Sequence, residues 1–402
     1  MAMKSGIRVV KREDREAVEN SQEPDDTARG KRSSPESIVK GWITAARERR
    51  RSHAENCLQE IRRWDKNIVA PGQSAATVVL SFLILMSFAC RSASATPLTK
   101  HAANDSTFHS PLAEDHFAMV EGLRVHYIDM GRGPTVLMIH GNAGSVEDFE
   151  FKALPLLSAA YRVVAVDRPG HGSSDRPAGK TATLEFQAEL LHQTISNLGI
   201  VQPVLVGHSW GASLALAYTL KYPGEVSAMV LLAPAAYPDE GVNGLLRATV
   251  STPVIGDLGL FIGKAFMGHR LLRRDLARAF YPEALPESYV RMADSLWLGR
   301  KQLKAYLEDE SSLNQSLREI SQRYSGIDVP VAIVTGDKDQ IVLPNQNAYP
   351  LHAAIPRSRL VEIKDTGHEI PQTHPEIINS AVRLLSEASS GPVRAETVPL
   401  FN

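Results

Sequence analysis

From about Asp115 onward, the chain alternates between two hydrophobic periods. Phe117 to Glu121 and Arg124 to Met130 read as two strands turned at Glu121-Gly122, which predicts a hairpin. Thr135 to Ile139, Tyr161 to Val166, the run entering Pro203-Val204-Leu205-Val206, Val226 to Leu232, Val329 to Thr335 and Leu360 to Ile363 are short continuous apolar stretches, the pattern of strands covered on both faces. Between them lie helical patterns: Phe149 to Ala160, then Leu184, Ala188, Leu191, Ile195 and Leu198 on one face, then Ala212 to Leu220. Strand alternating with helix predicts an α/β protein with a doubly wound, mostly parallel sheet. The alternation is interrupted once, where Tyr237 to Gly326 turns long, helical and Pro-punctuated. A structureless loop of that length does not suit a compact domain, so the stretch predicts a small helical domain inserted between two strands.

The N-terminal quarter has a different character. Residues 1–70 are rich in Lys, Arg, Glu and Asp with few aromatics and no sustained period, so they bury too little apolar surface to order themselves and predict a disordered charged tail. Residues 71–95 reverse this. Ala75 to Cys90 is almost wholly apolar, Arg62, Arg63 and Lys66 precede it, and Ala93-Ser94-Ala95 follows. Basic flank, apolar core and A-x-A are the parts of a signal peptide, which is normally terminal, so that translation starting nearer residue 60 is one explanation. Retention as a membrane anchor is the other, although about 16 residues is short of the roughly 20 a spanning helix needs. The expected location is therefore exported, periplasmic or extracellular, or tethered to a membrane through residues 75–90. Residues 96–112 read as a polar linker. The globular part then divides into 113–235, an inserted 236–326, 327–390 and a tail at 391–402.

Composition narrows the chemistry. The 402 residues carry a formal net charge of −1, which offers a polyanion no basic surface, and no nucleic-acid partner is expected. Cys57 and Cys90 are the two cysteines, both before the globular part, so neither a disulfide framework nor a cysteine zinc site is expected. His140, His171 and His208 lack the spacing of a metal motif and read as loop and packing residues. Neither G-x-G-x-x-G nor a phosphate-binding G-K-S/T occurs, and no cofactor is expected.

What does carry chemistry is Gly207-His208-Ser209-Trp210-Gly211, where an apolar strand breaks and a helix begins. By composition alone G-x-S-x-G arises by accident in about one chain of this length in seven, so the flanking strand and helix supply the specificity. A turn tight enough to expose Ser209 brings backbone segments close together, and glycines at 207 and 211 leave that room. The first amide of the following helix, that of Trp210, then points toward the space above the Ser209 oxygen, where charge develops during acyl transfer. Downstream, Gly336-Asp337-Lys338-Asp339 follows one strand and Asp365-Thr366-Gly367-His368 the next. An imidazole takes and returns the serine proton near neutral pH while a carboxylate fixes its tautomer. Ser209 and His368 are the candidates for the first two roles. Asp337, Asp339, Asp365 and Asp239 compete for the third.

Taken together, His140-Gly141-Asn142, Asp167-Arg168-Pro169-Gly170-His171-Gly172-Ser173-Ser174 and Gly207-His208-Ser209-Trp210-Gly211 resemble the α/β-hydrolase superfamily over about Asp115 to Ser389. The resemblance is nearest to its cap-bearing branch of epoxide hydrolases, haloalkane dehalogenases, meta-cleavage C–C hydrolases and cofactor-free perhydrolases. It implies an oxyanion hole from the Asn142 and Trp210 amides, the acid role for Asp339 with Asp239 as runner-up, and a cap formed by the insertion. The chain departs from epoxide hydrolases and dehalogenases at Ser209, where those enzymes carry an aspartate nucleophile, which argues against those two activities. The expectation is a serine hydrolase acting through an acyl-enzyme on an ester-like or activated carbonyl of a small molecule with an apolar acyl part. Its rivals are C–C bond hydrolysis of the meta-cleavage type and a non-catalytic binding module on the same fold.

Overall fold

The computed structural model describes residues 7–10, 114–239, 269–297 and 299–389. Cys57, Cys90, the apolar stretch 75–90, the linker 96–112, the tail 391–402 and residues 240–268 of the insertion lie outside them.

The hairpin forms from β2 (Asp115–Val120) and β3 (Leu123–Met130), with Val120 opposite Leu123. Both turn residues have positive φ, Glu121 at 51° and Gly122 at 80°, the two-residue turn whose twist matches the strands it joins. Beyond it come β4 (Thr135–Ile139), β5 (Arg162–Val166), β6 (Val204–His208), β7 (Ala228–Leu232), β8 (Val331–Gly336) and β9 (Ser358–Ile363). These six run parallel, in the order β5-β4-β6-β7-β8-β9. β3 joins antiparallel beside β5. Four residues of the expected N-terminal tail also belong to the sheet. Ile7–Val10 forms β1, antiparallel to β9, an edge that would otherwise present unpaired N–H and C=O groups. Edge pairing is a main-chain interaction between residues far apart in sequence, and the charged local composition gives no sign of it.

Period-two alternation along the buried strands splits the interior in two. Leu137, Ile139, Leu205, Leu231 and Ile333 face one side, against α3 (Leu184–Asn197) and α4 (Trp210–Lys221). Val136, Met138, Val206, Val230 and Val334 face the other, against α2 (Ala153–Ser158) and α10 (Pro375–Ser389). The single helix expected over Phe149 to Ala160 is two short ones, α1 (Glu147–Glu150) and α2. Pro155 explains the break, since it has no N–H to give the carbonyl four residues back.

Between β7 and β8 lie α5 (His269–Phe280), α6 (Glu287–Trp297) and α7 (Arg300–Ile320), as the helical insertion predicts. Leu276, Phe280, Tyr289, Met292 and Ala293 form a cluster of their own, with Phe280 and Tyr289 edge-to-face at 5.0 Å. The end of the insertion behaves differently. Leu313 and Leu317 of α7, and Tyr324 of the 3-10 turn Ser321–Gly326, pack into the core of the sheet. α8 (Ala348–Ala354) and α9 (Ile370–Thr373) complete the described helices. Among the described residues no helix is long and apolar enough to cross a membrane.

Candidate active site

Ser209 sits between β6 and α4 at φ 52°, ψ −115°, a conformation that costs a non-glycine residue of the order of 1–3 kcal/mol. The surroundings impose it. Its N–H donates to Leu232 O at 2.9 Å, and its carbonyl accepts from Ala212 N at 3.0 Å and Ala235 N at 3.3 Å. The flanking glycines are needed for close approach. A Cβ at 207 would lie 2.5 Å from Gly211 O, and one at 211 would lie 2.2 Å from Ile139 O. The start of α4 is thereby wedged against the end of β4. Trp210 is the first residue of α4, where a backbone amide has no intrahelical acceptor.

The loop after β4 lies directly beside Ser209, because a Cβ on Gly141 would come within 3.3 Å of Ser209 Cβ. Asn142 follows, its side chain donating to Glu310 Oε1 at 2.7 Å and Tyr306 O at 3.2 Å, both on α7. Gln302, also on α7, donates to Ala143 O at 2.8 Å and accepts from Gly172 N at 3.1 Å. One helix of the insertion therefore grips both the loop after β4 and the loop after β5.

His368 comes from the loop after β9. Its backbone amide donates to Ala279 O at 2.8 Å, tying it to the end of α5. Its Nδ1 lies 2.8 Å from Asp339 Oδ2, which leaves Nε2 for another partner. Asp339 is buried, and its other oxygen accepts from the amides of Ile341 at 2.8 Å and Val342 at 2.9 Å. Burial alone would lower the His368 pKa, but the charge and hydrogen bond of Asp339 outweigh it and hold the ring above its ordinary value. The His368 ring stands 4.9 Å from that of His208, the residue before Ser209. The other three aspartates have partners or settings of their own. Asp337 pairs with Lys338, Asp365 occupies a turn at φ 52°, and the main chain of Asp239 is bonded to Asn314.

His140, His171 and His208 are held by neighbouring groups. His140 gives its Nδ1 proton to Gly141 O at 2.8 Å and accepts the Arg168 amide on Nε2 at 2.9 Å, with burial and the Arg168 charge pulling its pKa down to about 3. Burial, then the Arg168 charge, keeps His171 neutral too. His208 donates from Nε2 to His368 O at 3.0 Å. Among the described residues no group of His, Cys, Asp and Glu is arranged to hold a metal ion.

Two features near the site were not legible from residue types. Asp148 and Glu369 are both buried, with the Tyr289 hydroxyl donating to Asp148 at 2.9 Å. Burial raises both carboxyls, and the Glu369 charge raises Asp148 further. Arg168 is buried against Asp309 of α7. In sequence, Asp309 stands in Glu308-Asp309-Glu310, which reads as a solvated helix face. The arginine inside the small-residue motif at 167–174 was the available hint.

The chain also matches known proteins. The family model of the alpha/beta hydrolase fold matches residues 134–375. The chain is 28% identical over 267 residues to the uncharacterized hydrolase YugF of Bacillus subtilis, covering 65% of this chain and 94% of that protein. It is 28% identical to a 2-hydroxy-6-oxononadienedioate/2-hydroxy-6-oxononatrienedioate hydrolase of Pseudomonas putida, covering 65% of this chain and 90% of that one. Among solved structures, an esterase from Exiguobacterium antarcticum superposes with a TM-score of 0.55 at 25% identity, over 68% of this chain and 99% of that one.

Proposed function

The chain belongs to the α/β-hydrolase family and is a hydrolase of small molecules, and from that premise we propose that it works through a Ser209-His368-Asp339 triad on an ester-like or otherwise activated carbonyl. The observation that carries the proposal is the 2.8 Å contact between His368 Nδ1 and a buried, doubly hydrogen-bonded Asp339, next to a serine held at φ 52°. Asp339 fixes the tautomer in which Nε2 lacks a proton, so His368 accepts the Ser209 proton as the oxygen attacks the carbonyl carbon. The negative charge that develops on the carbonyl oxygen is received by the backbone amides of Asn142 and Trp210. His368 then returns the proton to the leaving alkoxide, an acyl-Ser209 ester remains, and water activated by the same imidazole hydrolyses it.

The relative from Pseudomonas putida supports a second reading, cleavage of a C–C bond next to a carbonyl. Tyr281 of the insertion, half-exposed beside the loop that carries His368, favours a substrate with an apolar acyl part. Residues 75–90 support export or a membrane tether, testable by fractionating cells expressing the full chain. For the chemistry, the full chain is treated with a fluorophosphonate and then assayed on p-nitrophenyl esters and on a vinylogous 1,5-diketone acid. The proposal expects labelling that Ser209→Ala abolishes, and turnover of the esters. Turnover of the diketone alone would favour C–C cleavage, and labelling that survives Ser209→Ala would remove the serine mechanism.

A further inference from the structure

Arg168 begins in the loop after β5 but ends beneath the loop after β4. Its guanidinium is 1% exposed. One nitrogen, Nη2, donates to Gly141 O at 3.0 Å and lies 3.3 Å from Asn142 Oδ1. The other, Nη1, donates to Asp309 Oδ2 at 2.5 Å and Gln187 Oε1 at 3.2 Å. Its Cζ stands over the Trp210 ring, 4.0 Å from the ring centroid. Arg168 thus touches both residues whose amides the proposed mechanism uses.

The contact with Gly141 O has a geometric consequence. Gly141 O and Asn142 N–H belong to one peptide unit, and in a trans peptide they point to opposite sides. The cis bond of the described residues is at Tyr281-Pro282, so the Gly141-Asn142 unit is trans. Two donors fix its carbonyl, Arg168 Nη2 and His140 Nδ1. With the oxygen pinned, the direction of the Asn142 N–H is fixed too. A cation on the carbonyl also draws electron density from the amide, which makes the N–H a stronger donor toward a developing oxyanion.

A buried ion pair is weak evidence for stability, because desolvation offsets most of its attraction. A fork that spends one arm on Asp309 and the other on the Gly141-Asn142 peptide is therefore better explained by what it holds in place. We propose that Arg168 is a positioning residue for the oxyanion hole. It presets and polarises the Gly141-Asn142 peptide and braces Trp210, while Asp309 of α7 fixes the guanidinium from the insertion. The inference rests on the serine-hydrolase reading above.

The test compares the full wild-type chain with Arg168→Met/Asp309→Leu, in which both charges leave together and no buried ion is stranded. Arg176, the other partner of Asp309, keeps Glu308 and Pro169 O. Kinetics on p-nitrophenyl butyrate are read beside the affinity of an alkyl trifluoromethyl ketone, which adds to a catalytic serine and leaves an oxyanion. The inference expects kcat to fall about 10- to 100-fold and ketone affinity to fall by the same factor, with KM changed by no more than about twofold. Arg168→Lys, whose ammonium cannot bridge both acceptors with fork geometry, should show the same split at smaller size, and it carries the test if the double variant does not fold. Unchanged kcat and ketone affinity, or a loss confined to KM, would overturn the inference. Ser209-dependent fluorophosphonate labelling of the wild type separates that outcome from failure of the serine mechanism, which would appear as labelling that persists in Ser209→Ala.

Discussion

At the scale of single residues, the candidate site turns on which carboxylate orients His368. The four candidates could not be ranked from residue type and spacing, since Asp is as common in turns as in triads. The resemblance pointed to Asp339, and the geometry puts that residue in contact with the ring, 2.8 Å from Nδ1. Asp339→Asn is expected to keep the fold and to lower kcat by about 10³- to 10⁴-fold, with far smaller losses in Asp337→Asn and Asp365→Asn. The pH profile gives an independent check. The base must be neutral to act, and Asp339 holds His368 above its ordinary value, so the acidic limb of kcat/KM in the wild type should fall above about pH 6.5. In Asp339→Asn the limb should move to lower pH. A limb that stays put would show that another group governs it.

Among elements, the sequence foretold strands, helices and an inserted helical segment, yet not the grip of that segment on the loops. The reason is physical. Helical periodicity reports which face is apolar, whereas the grip on the loops is made by polar side chains, Gln302, Asp309 and Glu310, that look solvated in sequence. Removing Gln302 leaves Ala143 O and Gly172 N without its bonds in a buried setting, so Gln302→Ala should destabilise the chain by about 1–3 kcal/mol in urea unfolding. No measurable loss would show that water replaces the amide. A second tie joins β3 to the loops after β4 and β5. His126 Nδ1 bonds Asp167 Oδ2 at 2.7 Å, and Asp167 also accepts from Val146 N and Ser173 N. Burial opposes charge on His126, but Asp167 and then Asp115 prevail and raise it to about 9. A raised folded pKa means the stabilisation is full below the unfolded value and fades as pH rises through the folded one. The Tm gap between wild type and His126→Gln should therefore shrink from about pH 6.5 to about pH 9 and beyond. A gap independent of pH would contradict a charged imidazole there.

For the whole molecule, the parallel sheet was readable because each central strand is buried on both faces and so is written as an unbroken apolar run. β1 was not, because an edge strand of four residues pairs through its main chain and lies far in sequence from β9. Deleting residues 1–12 removes that edge and leaves the eight strands from β2 to β9 in place. The expected result is a folded chain whose kcat/KM on p-nitrophenyl butyrate stays within about twofold and whose Tm drops by a few degrees. A collapse of turnover would show that β1 supports the loop from β9 to His368.

The central claim is that Ser209 becomes acylated, and acid-quenched p-nitrophenyl acetate turnover followed by peptide mass spectrometry tests it most directly. An acetyl group on the peptide containing Ser209, formed within the pre-steady-state burst and absent from Ser209→Ala together with turnover, is the result this account predicts. An acetyl group on another residue, or ester turnover that persists in Ser209→Ala, would contradict it.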